Sequence, residues 1–251
     1  MTFQNPRTRE EWGRFYRYYP LRRRLFNGLY WGRLGAAVRG MDSVYCQAWY
    51  MVPKVAWMYG LGVVPGFLPN PVVVPVGVGV KSGVPTVCSL SRLDGEKRPH
   101  LFFELASRFP GVRFVCMGRA HNSVRDGRLR ERYGGVPNLE LVGFVDEGEK
   151  ARILDESWVL VNLSVGEGLP VAFLEAAAHG CAILSLHDPD GFASRFGVHT
   201  CMERLEGDLA SLIEGDLWRD RGLAGYMHVR DVHEVGVVVD RHIEMYEALL
   251  E

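Results

Sequence analysis

Gly166-Glu167-Gly168-Leu169-Pro170-Val171-Ala172-Phe173-Leu174-Glu175-Ala176-Ala177-Ala178-His179-Gly180 follows the apolar run Trp158-Val159-Leu160-Val161-Asn162-Leu163. The run is short and dense in Val and Leu, so it reads as a buried strand. The stretch after it reads as a loop and then a helix. Pro170 is expected at the first helical position, where its missing N–H costs nothing, and Gly180 marks the stop. Glu167 then falls in the loop and Glu175 on the second helical turn.

Working outward, the same strand-then-helix unit repeats. Val84–Leu90, Val112–Met117, Leu139–Phe144 and Ala182–Leu186 are further short apolar runs. Pro99–Phe109 and Glu147–Glu156 carry apolar residues at helical spacing between them. Strands that are apolar throughout and alternate with helices imply a doubly wound parallel sheet, an α/β fold. Ligands of such sheets bind beyond the carboxyl ends of the strands. After Phe196 the pattern turns helical, with segments expected over 203–215, 218–229 and 232–250. In the last of these Val239, Ile243, Tyr246 and Leu250 share one face.

The first eighty residues differ. Up to Gly40 they are rich in Arg and aromatics, as in Arg14-Phe15-Tyr16-Arg17-Tyr18-Tyr19, and suggest one or two basic helices. Val44–Cys46 suggests a short strand, 51–59 a helix, and 62–84 an extended linker. The division expected is 1–79 as a short, mainly helical segment with its linker, and 80–251 as the doubly wound unit with its C-terminal helices.

Composition bounds the rest. The 251 residues are 47% hydrophobic and 24% charged, with a net charge of -1, which suits a soluble globular chain without a general affinity for nucleic acid. No apolar run reaches the roughly 18 residues of a membrane-spanning helix, and Met1–Arg7 lacks the apolar core of a signal peptide. Cys46, Cys88, Cys116, Cys181 and Cys201 have no metal-ligand spacing and read as reduced thiols of a cytoplasmic protein.

Ser91-Arg92-Leu93-Asp94-Gly95-Glu96-Lys97-Arg98-Pro99 joins the first strand of the repeat to its helix. Arg92 is expected to end the strand and Lys97 to open the helix. A guanidinium fork and an ammonium there suit a diphosphate. The N–H groups of Val171 and Ala172, with the helix dipole, suit a phosphate. Glu175 can accept two hydroxyl hydrogen bonds, and Glu167 reaches a sugar. Together these features point to a sugar nucleotide.

These residues carry a resemblance. Ser91–Lys97, Asn138-Leu139-Glu140-Leu141-Val142-Gly143-Phe144-Val145, and Ser164–Pro170 with Phe173-Leu174-Glu175-Ala176 follow in order. From Val64 to Glu251 the chain resembles the C-terminal, donor-binding half of a family 4 retaining glycosyltransferase of the GT-B fold, a Rossmann-like domain. The resemblance implies that Arg92 and Lys97 hold the diphosphate and that Glu175 binds the ribose. Glu167, the catalytic candidate, contacts the transferred sugar. The backbone of Gly168, Leu169, Pro170 and Val171 approaches sugar or phosphate, Phe144 and Val145 lie at the nucleobase, and Gly118 and Arg119 at a neighbouring strand end. It implies retention through an oxocarbenium-like state with the leaving diphosphate as base, no metal and no cofactor besides the sugar nucleotide, and a glycan or lipid-linked acceptor.

Two departures accompany it. Family members often have Gly-Gly after the fifth strand, where this chain has His187-Asp188-Pro189-Asp190-Gly191; His187 or Asp188 would then line the cleft. The residues before Gly79 are fewer than the roughly 100 of a full domain. The expectation is therefore a remnant of the first GT-B domain, and a chain that works with a partner half or as an oligomer. The basic segment 7–39 suits peripheral contact with an anionic membrane. The alternatives are a sugar-nucleotide epimerase and a non-catalytic nucleotide-sugar-binding or scaffolding subunit. A dinucleotide dehydrogenase is disfavoured, because the turn after Leu90 lacks the Gly-rich fingerprint.

Overall fold

The computed structural model describes residues 1–3, 5–19, 21–22 and 33–250. Part of the basic N-terminal stretch, 23–32, lies outside the described residues. The fold has a six-stranded parallel sheet flanked by helices and a smaller three-stranded parallel sheet. All five strands expected from apolar runs are present: β4 (Thr86–Leu90), β5 (Arg113–Met117), β6 (Leu139–Gly143), β7 (Val159–Asn162) and β8 (Ala182–Ser185). A sixth, β9 (Gly197–His199), is too short to leave a sequence signal. Their order is β6-β5-β4-β7-β8-β9, and every pair is parallel. The order reverses between β4 and β7. That reversal is the switch point of a Rossmann-like sheet, where crevices open outside the carboxyl ends of the strands.

Alternation along each strand sends side chains to two cores. Cys88, Val115, Met117, Leu160 and Ile183 enter one, with Phe173 and Leu174 of α7 (Val171–Ala178) and Met51 and Val55 of α3 (Met51–Tyr59). Val87, Phe114, Val159, Val161 and Leu184 enter the other, with Phe102, Phe103 and Leu105 of α4 (Pro99–Arg108). Both faces are covered, which explains why the strands are apolar throughout. All five cysteines are free thiols, and four are buried.

The remaining helices are α5 (Ser123–Tyr133), α6 (Glu147–Glu156), α8 (Phe192–Phe196), α9 (Leu205–Glu214), α10 (Leu217–Val232) and α11 (Val235–Glu247). Helix α5 was not among the expected elements. Its sequence, Ser-Val-Arg-Asp-Gly-Arg-Leu-Arg-Glu-Arg-Tyr, buries only Tyr133 and lacks an apolar stripe. The stripe on α11 forms as a helix face but faces outward: Val239 is 48% and Tyr246 59% exposed, while Val238 is buried.

The N-terminal part contains more strand than expected. β1 (Thr2–Phe3), β2 (Tyr45–Cys46) and β3 (Gly66–Phe67) form a three-stranded parallel sheet, and β3 lies inside the stretch read as a linker. Two-residue strands carry too few residues to show a period. Helix α1 (Arg9–Tyr16) and a helical stretch at 33–39, called α2, account for the described part of the basic region. The two parts are clasped by Asp190, whose carboxylate accepts the amides of Trp49 and Tyr50, each at 2.7 Å, at the start of α3.

Candidate active site

Two loops meet at the switch point. Both differ slightly from expectation. β4 ends at Leu90, so Arg92 lies beyond it, and Lys97 closes a 3-10 turn (Gly95–Lys97) before α4 begins at Pro99. Pro170 is the N-cap of α7 and not its first residue, with ψ 131°. The consequence for the amides is small. Val171 and Ala172 are then the first two helical residues, and no side chain caps them.

The loops are fastened to each other. Arg98, held at φ 50°, donates Nε to the Leu163 carbonyl at 2.6 Å and a terminal nitrogen to that of Ser164 at 2.7 Å. The Val165 amide donates to the Glu96 carbonyl at 2.8 Å. His187 contributes from the end of β8, its Nε2 lying 2.9 Å from the Ser164 carbonyl. That contact fixes the proton on Nε2, and burial holds the imidazole below its ordinary pKa, so the ring is neutral.

Within this frame Lys97 Nζ lies 2.5 Å from Glu167 Oε1. Asn162 Nδ2 donates to the same oxygen at 3.3 Å. The Glu167 side chain is only 9% exposed. Burial pushes its pKa upward, but the Lys97 charge and hydrogen bonds from Lys97, Ser164 and Asn162 outweigh burial and bring it below the usual value. The outcome is a buried carboxylate that stays ionised.

The other expected residues are spread along the strand ends. Arg92 is half exposed and forks between Asp94 at 2.9 Å and Glu96 at 3.1 Å, with His121 at 2.9 Å. Its charge is therefore engaged with carboxylates. Glu175 meets Lys150 Nζ at 2.6 Å, and Lys150 also holds Glu147. Burial lowers the Lys150 pKa, but these two glutamates raise it by more. Gly168 and Leu169 are buried, and Val171 is 46% exposed at the head of α7. Phe144 projects from the end of β6, 77% exposed, while Val145 packs against the core.

Gly118 follows the last residue of β5 at φ +132°, and a Cβ there would lie 1.8 Å from the Ser91 carbonyl oxygen. Only glycine lets β5 pass the β4 turn so closely. Arg119 beside it is exposed, and its carbonyl accepts the Leu93 amide at 3.1 Å. Thus Lys97 and Glu167 are brought together, whereas Arg92, earlier on the Lys97 loop, Glu175 on α7 and Phe144 after β6 are each engaged or exposed apart from that pair.

Sequence reasoning missed several residues. Arg98 and Asn162 position the Glu167 loop, and Lys150 holds Glu175. Glu147-x-x-Lys150 at the start of a helix was a visible spacing for an ion pair. The N-terminal contributors left no such signal. The Tyr50 hydroxyl donates to the Glu167 carbonyl at 3.3 Å, and the Tyr19 hydroxyl to Glu96 at 2.5 Å. Phe15 covers Gly166, where a Cβ would come within 2.8 Å of its ring.

With this geometry in place, known proteins supply the context. Residues 77–197 match the family of glycosyl transferases group 1. Over that stretch, centred on the six-stranded sheet, the chain is similar to a glycosyl transferases group 1 domain. Among curated proteins it is similar to a phosphatidylinositol N-acetylglucosaminyltransferase subunit of Arabidopsis thaliana, 29% identical over 115 residues. That alignment spans 44% of this chain and 26% of the relative. Among solved structures, sucrose-phosphate synthase from Thermosynechococcus elongatus superposes with a TM-score of 0.74 at 15% identity, covering 88% of this chain and 61% of that one. The pneumococcal O-GlcNAc transferase GtfA, solved with UDP and GlcNAc, gives 0.70 at 13% identity, covering 88% and 48%. The Anabaena protein HepE, solved with UDP-glucose, gives 0.68 at 14% identity, covering 83% and 64%. These likenesses establish the Rossmann-like GT-B fold. The chain spans about half the length of the structures it matches and a quarter of the curated relative.

Proposed function

We propose that this chain binds a nucleotide diphosphate sugar and transfers the sugar, with retention, to a glycan or lipid-linked acceptor. The observation that carries the reading is the Glu167 carboxylate. It is buried, ionised and held by Lys97 at the switch point of a sheet similar to a glycosyl transferases group 1 domain. A fixed negative charge in a dry site stabilises the positive charge that develops on a sugar as its anomeric bond breaks. The donor lies along the strand ends, with Lys97 and Arg92 on its diphosphate. The amides of Val171 and Ala172 support the phosphates, with the backbone of Gly168, Leu169 and Pro170 alongside. Glu175 takes the ribose hydroxyls, Phe144 and Val145 the nucleobase, and Gly118 and Arg119 the neighbouring strand end. The leaving diphosphate accepts the acceptor proton. The cations and the helix terminus supply the electrostatics, and the reading requires no metal.

The curated relative is named as part of a transferase acting on phosphatidylinositol. That supports a lipid-linked acceptor and a partner, either a second GT-B half or a further subunit. Nine arginines against two glutamates in residues 1–40 support peripheral contact with an anionic membrane from the cytoplasmic side. A second reading is a non-catalytic nucleotide-sugar-binding subunit. It is favoured by one observation: Arg92, Lys97 and Lys150 are all engaged with carboxylates.

Calorimetric titration with UDP-, GDP- and ADP-sugars tests the binding shared by both readings. One of them should bind, and affinity should fall at least tenfold in Glu175→Ala. Absence of binding to folded protein at millimolar concentration refutes both. Release of nucleoside diphosphate from the bound donor separates turnover from binding alone.

A further inference from the structure

The donor reading uses the strand-end side of the cleft and leaves its N-terminal wall unexplained. Beside Glu167 opens a cavity of 310 Å³, bounded by Glu167 and His187 on one side and by Arg7, Arg14 and Tyr50 on the other. Its N-terminal wall is rigidly placed. Thr8 caps α1 in a reciprocal box with Glu11, whose carboxylate accepts the Thr8 amide at 2.7 Å. Glu11 also meets Lys54 Nζ of α3 at 2.7 Å. Phe15, one turn further on, is buried against Gly166. Helix α1 is thus tied both to α3 and to the loop that carries Glu167.

The charges in this wall do not cancel. The Glu11 carboxylate is matched by Lys54, and that of Glu167 by Lys97. The Asp188 carboxylate is turned to Ser194, accepting its amide at 3.0 Å and its hydroxyl at 2.7 Å. Arg14 pairs with Glu10 only at 3.4 Å on the solvent side, where it is 64% exposed. Arg7 enters no ion pair among the described residues. Its guanidinium lies 3.6 Å from the centre of the Phe15 ring and 5.0 Å from that of Trp12. One of its N–H groups is given to the Tyr19 hydroxyl; stacking fixes the guanidinium plane, and the N–H groups not used by Tyr19 remain to donate. The cavity therefore presents a held cation, hydrogen-bonded to Tyr19 but without a carboxylate partner among the described residues, next to the carboxylate at which a sugar would react.

We propose that this cavity receives the acceptor, and that the acceptor is a single sugar ring bearing one anionic group, phosphate or carboxylate, read by Arg7 with help from Arg14. The proposal rests on the donor reading of Glu167. The volume is at the lower end of small-molecule sites and suits one ring at the transfer point; a longer chain would extend into solvent. In the transfer, the acceptor hydroxyl oxygen bonds the anomeric carbon as the bond from that carbon to the diphosphate breaks. The hydroxyl proton leaves on the diphosphate.

The test is calorimetry on the chain saturated with whichever nucleoside diphosphate of the UDP, GDP and ADP set binds best. The probes are glucose 6-phosphate, glucuronate and methyl glucoside. A charged probe should bind at least tenfold more tightly than methyl glucoside. Preference between the first two assigns the anion as phosphate or carboxylate. Arg7→Gln should weaken the charged probe about tenfold and leave nucleotide affinity unchanged, and Arg7→Lys should keep part of the binding. Arg14→Gln, at an exposed position, should weaken it several-fold without disturbing the fold. Equal binding of methyl glucoside, no binding of any probe, or charged-probe affinities within twofold of wild type in both glutamine variants overturns the proposal. Failure of nucleotide binding in the wild-type chain instead refutes the donor reading beneath it.

Discussion

Replacing Lys97 by Met tests whether the charge of Glu167 is imposed by its partner. Glu167 is 9% and Lys97 19% exposed, and their heavy atoms are 2.5 Å apart. Removing one member of a buried pair costs about 3–5 kcal/mol, because the other charge is left without compensation. Lys97 retains some access to water, and Asn162 still donates to Glu167, which places the expected loss near the bottom of that range, about 3 kcal/mol. The pH dependence gives the sharper signature. In the wild type the folded pKa of Glu167 is depressed, so its contribution is present above the unfolded carboxylate pKa and fades as pH falls through the folded value. In Lys97→Met, burial is left to dominate and the folded pKa rises above the unfolded one. Stability is then lost as pH increases through that raised value. Urea unfolding at pH 7.5 and pH 5 should show a penalty near 3 kcal/mol at the higher pH and a clearly smaller one at the lower. Lys97→Met/Glu167→Gln should recover most of it. A loss below about 1 kcal/mol that is independent of pH and additive with Glu167→Gln would refute the reasoning.

In Glu175→Ala, Lys150 keeps Glu147 as partner, so the melting temperature should change little. Nucleotide affinity should nevertheless fall at least tenfold, with preference over the 2′,3′-dideoxy analogue abolished, as calorimetry would show. Gly118→Ala places a Cβ 1.8 Å from the Ser91 carbonyl oxygen at φ +132°, and should destabilise by more than about 2 kcal/mol in urea melts. His228, lying against Phe196, has its pKa lowered by burial to about 4. Its NMR titration should show a neutral ring from pH 8 to 5. Because the folded state holds that proton less tightly than the unfolded chain, stability should decline as pH falls through 6.5 toward 4.

The sheet was legible because each of its longer strands is buried on both faces and so leaves a continuous apolar run, as Val159–Asn162 does. The Lys97–Glu167 pair was legible only as two residues on loops that a parallel sheet must bring to the same end. What escaped was of two kinds. Elements with little apolar content, such as α5, or with two or three residues, such as β1, β3 and β9, carry no periodicity to read. Contacts that span the chain escaped for a different reason. Phe15 on Gly166, Tyr19 on Glu96 and Asp190 on the Tyr50 amide join residues more than 75 positions apart, and local pattern is blind to such pairings. The candidate donor residues follow the strands in sequence order, whereas the N-terminal wall is joined to the Glu167 loop by such long-range contacts. One half of the cleft was therefore readable and the other was not.

The structure also changes what those readable residues must do. As isolated cations, Arg92 and Lys97 would attract a diphosphate by charge alone. Instead Arg92 is shared by Asp94 and Glu96, and Lys97 by Glu167. A diphosphate must therefore compete for both, and the net attraction is smaller than a count of cations suggests. On the donor reading proposed above, the competition has a consequence at Glu167. As a phosphate draws Lys97 away, the carboxylate loses part of its compensation, and a developing positive charge on the sugar becomes the group best placed to restore it. Compensation that is weak in the ground state and strong in the transition state is the kind of binding that accelerates a reaction. On the donor reading, the Lys97–Glu167 ion pair is thus the source of the site's selectivity for the reacting state.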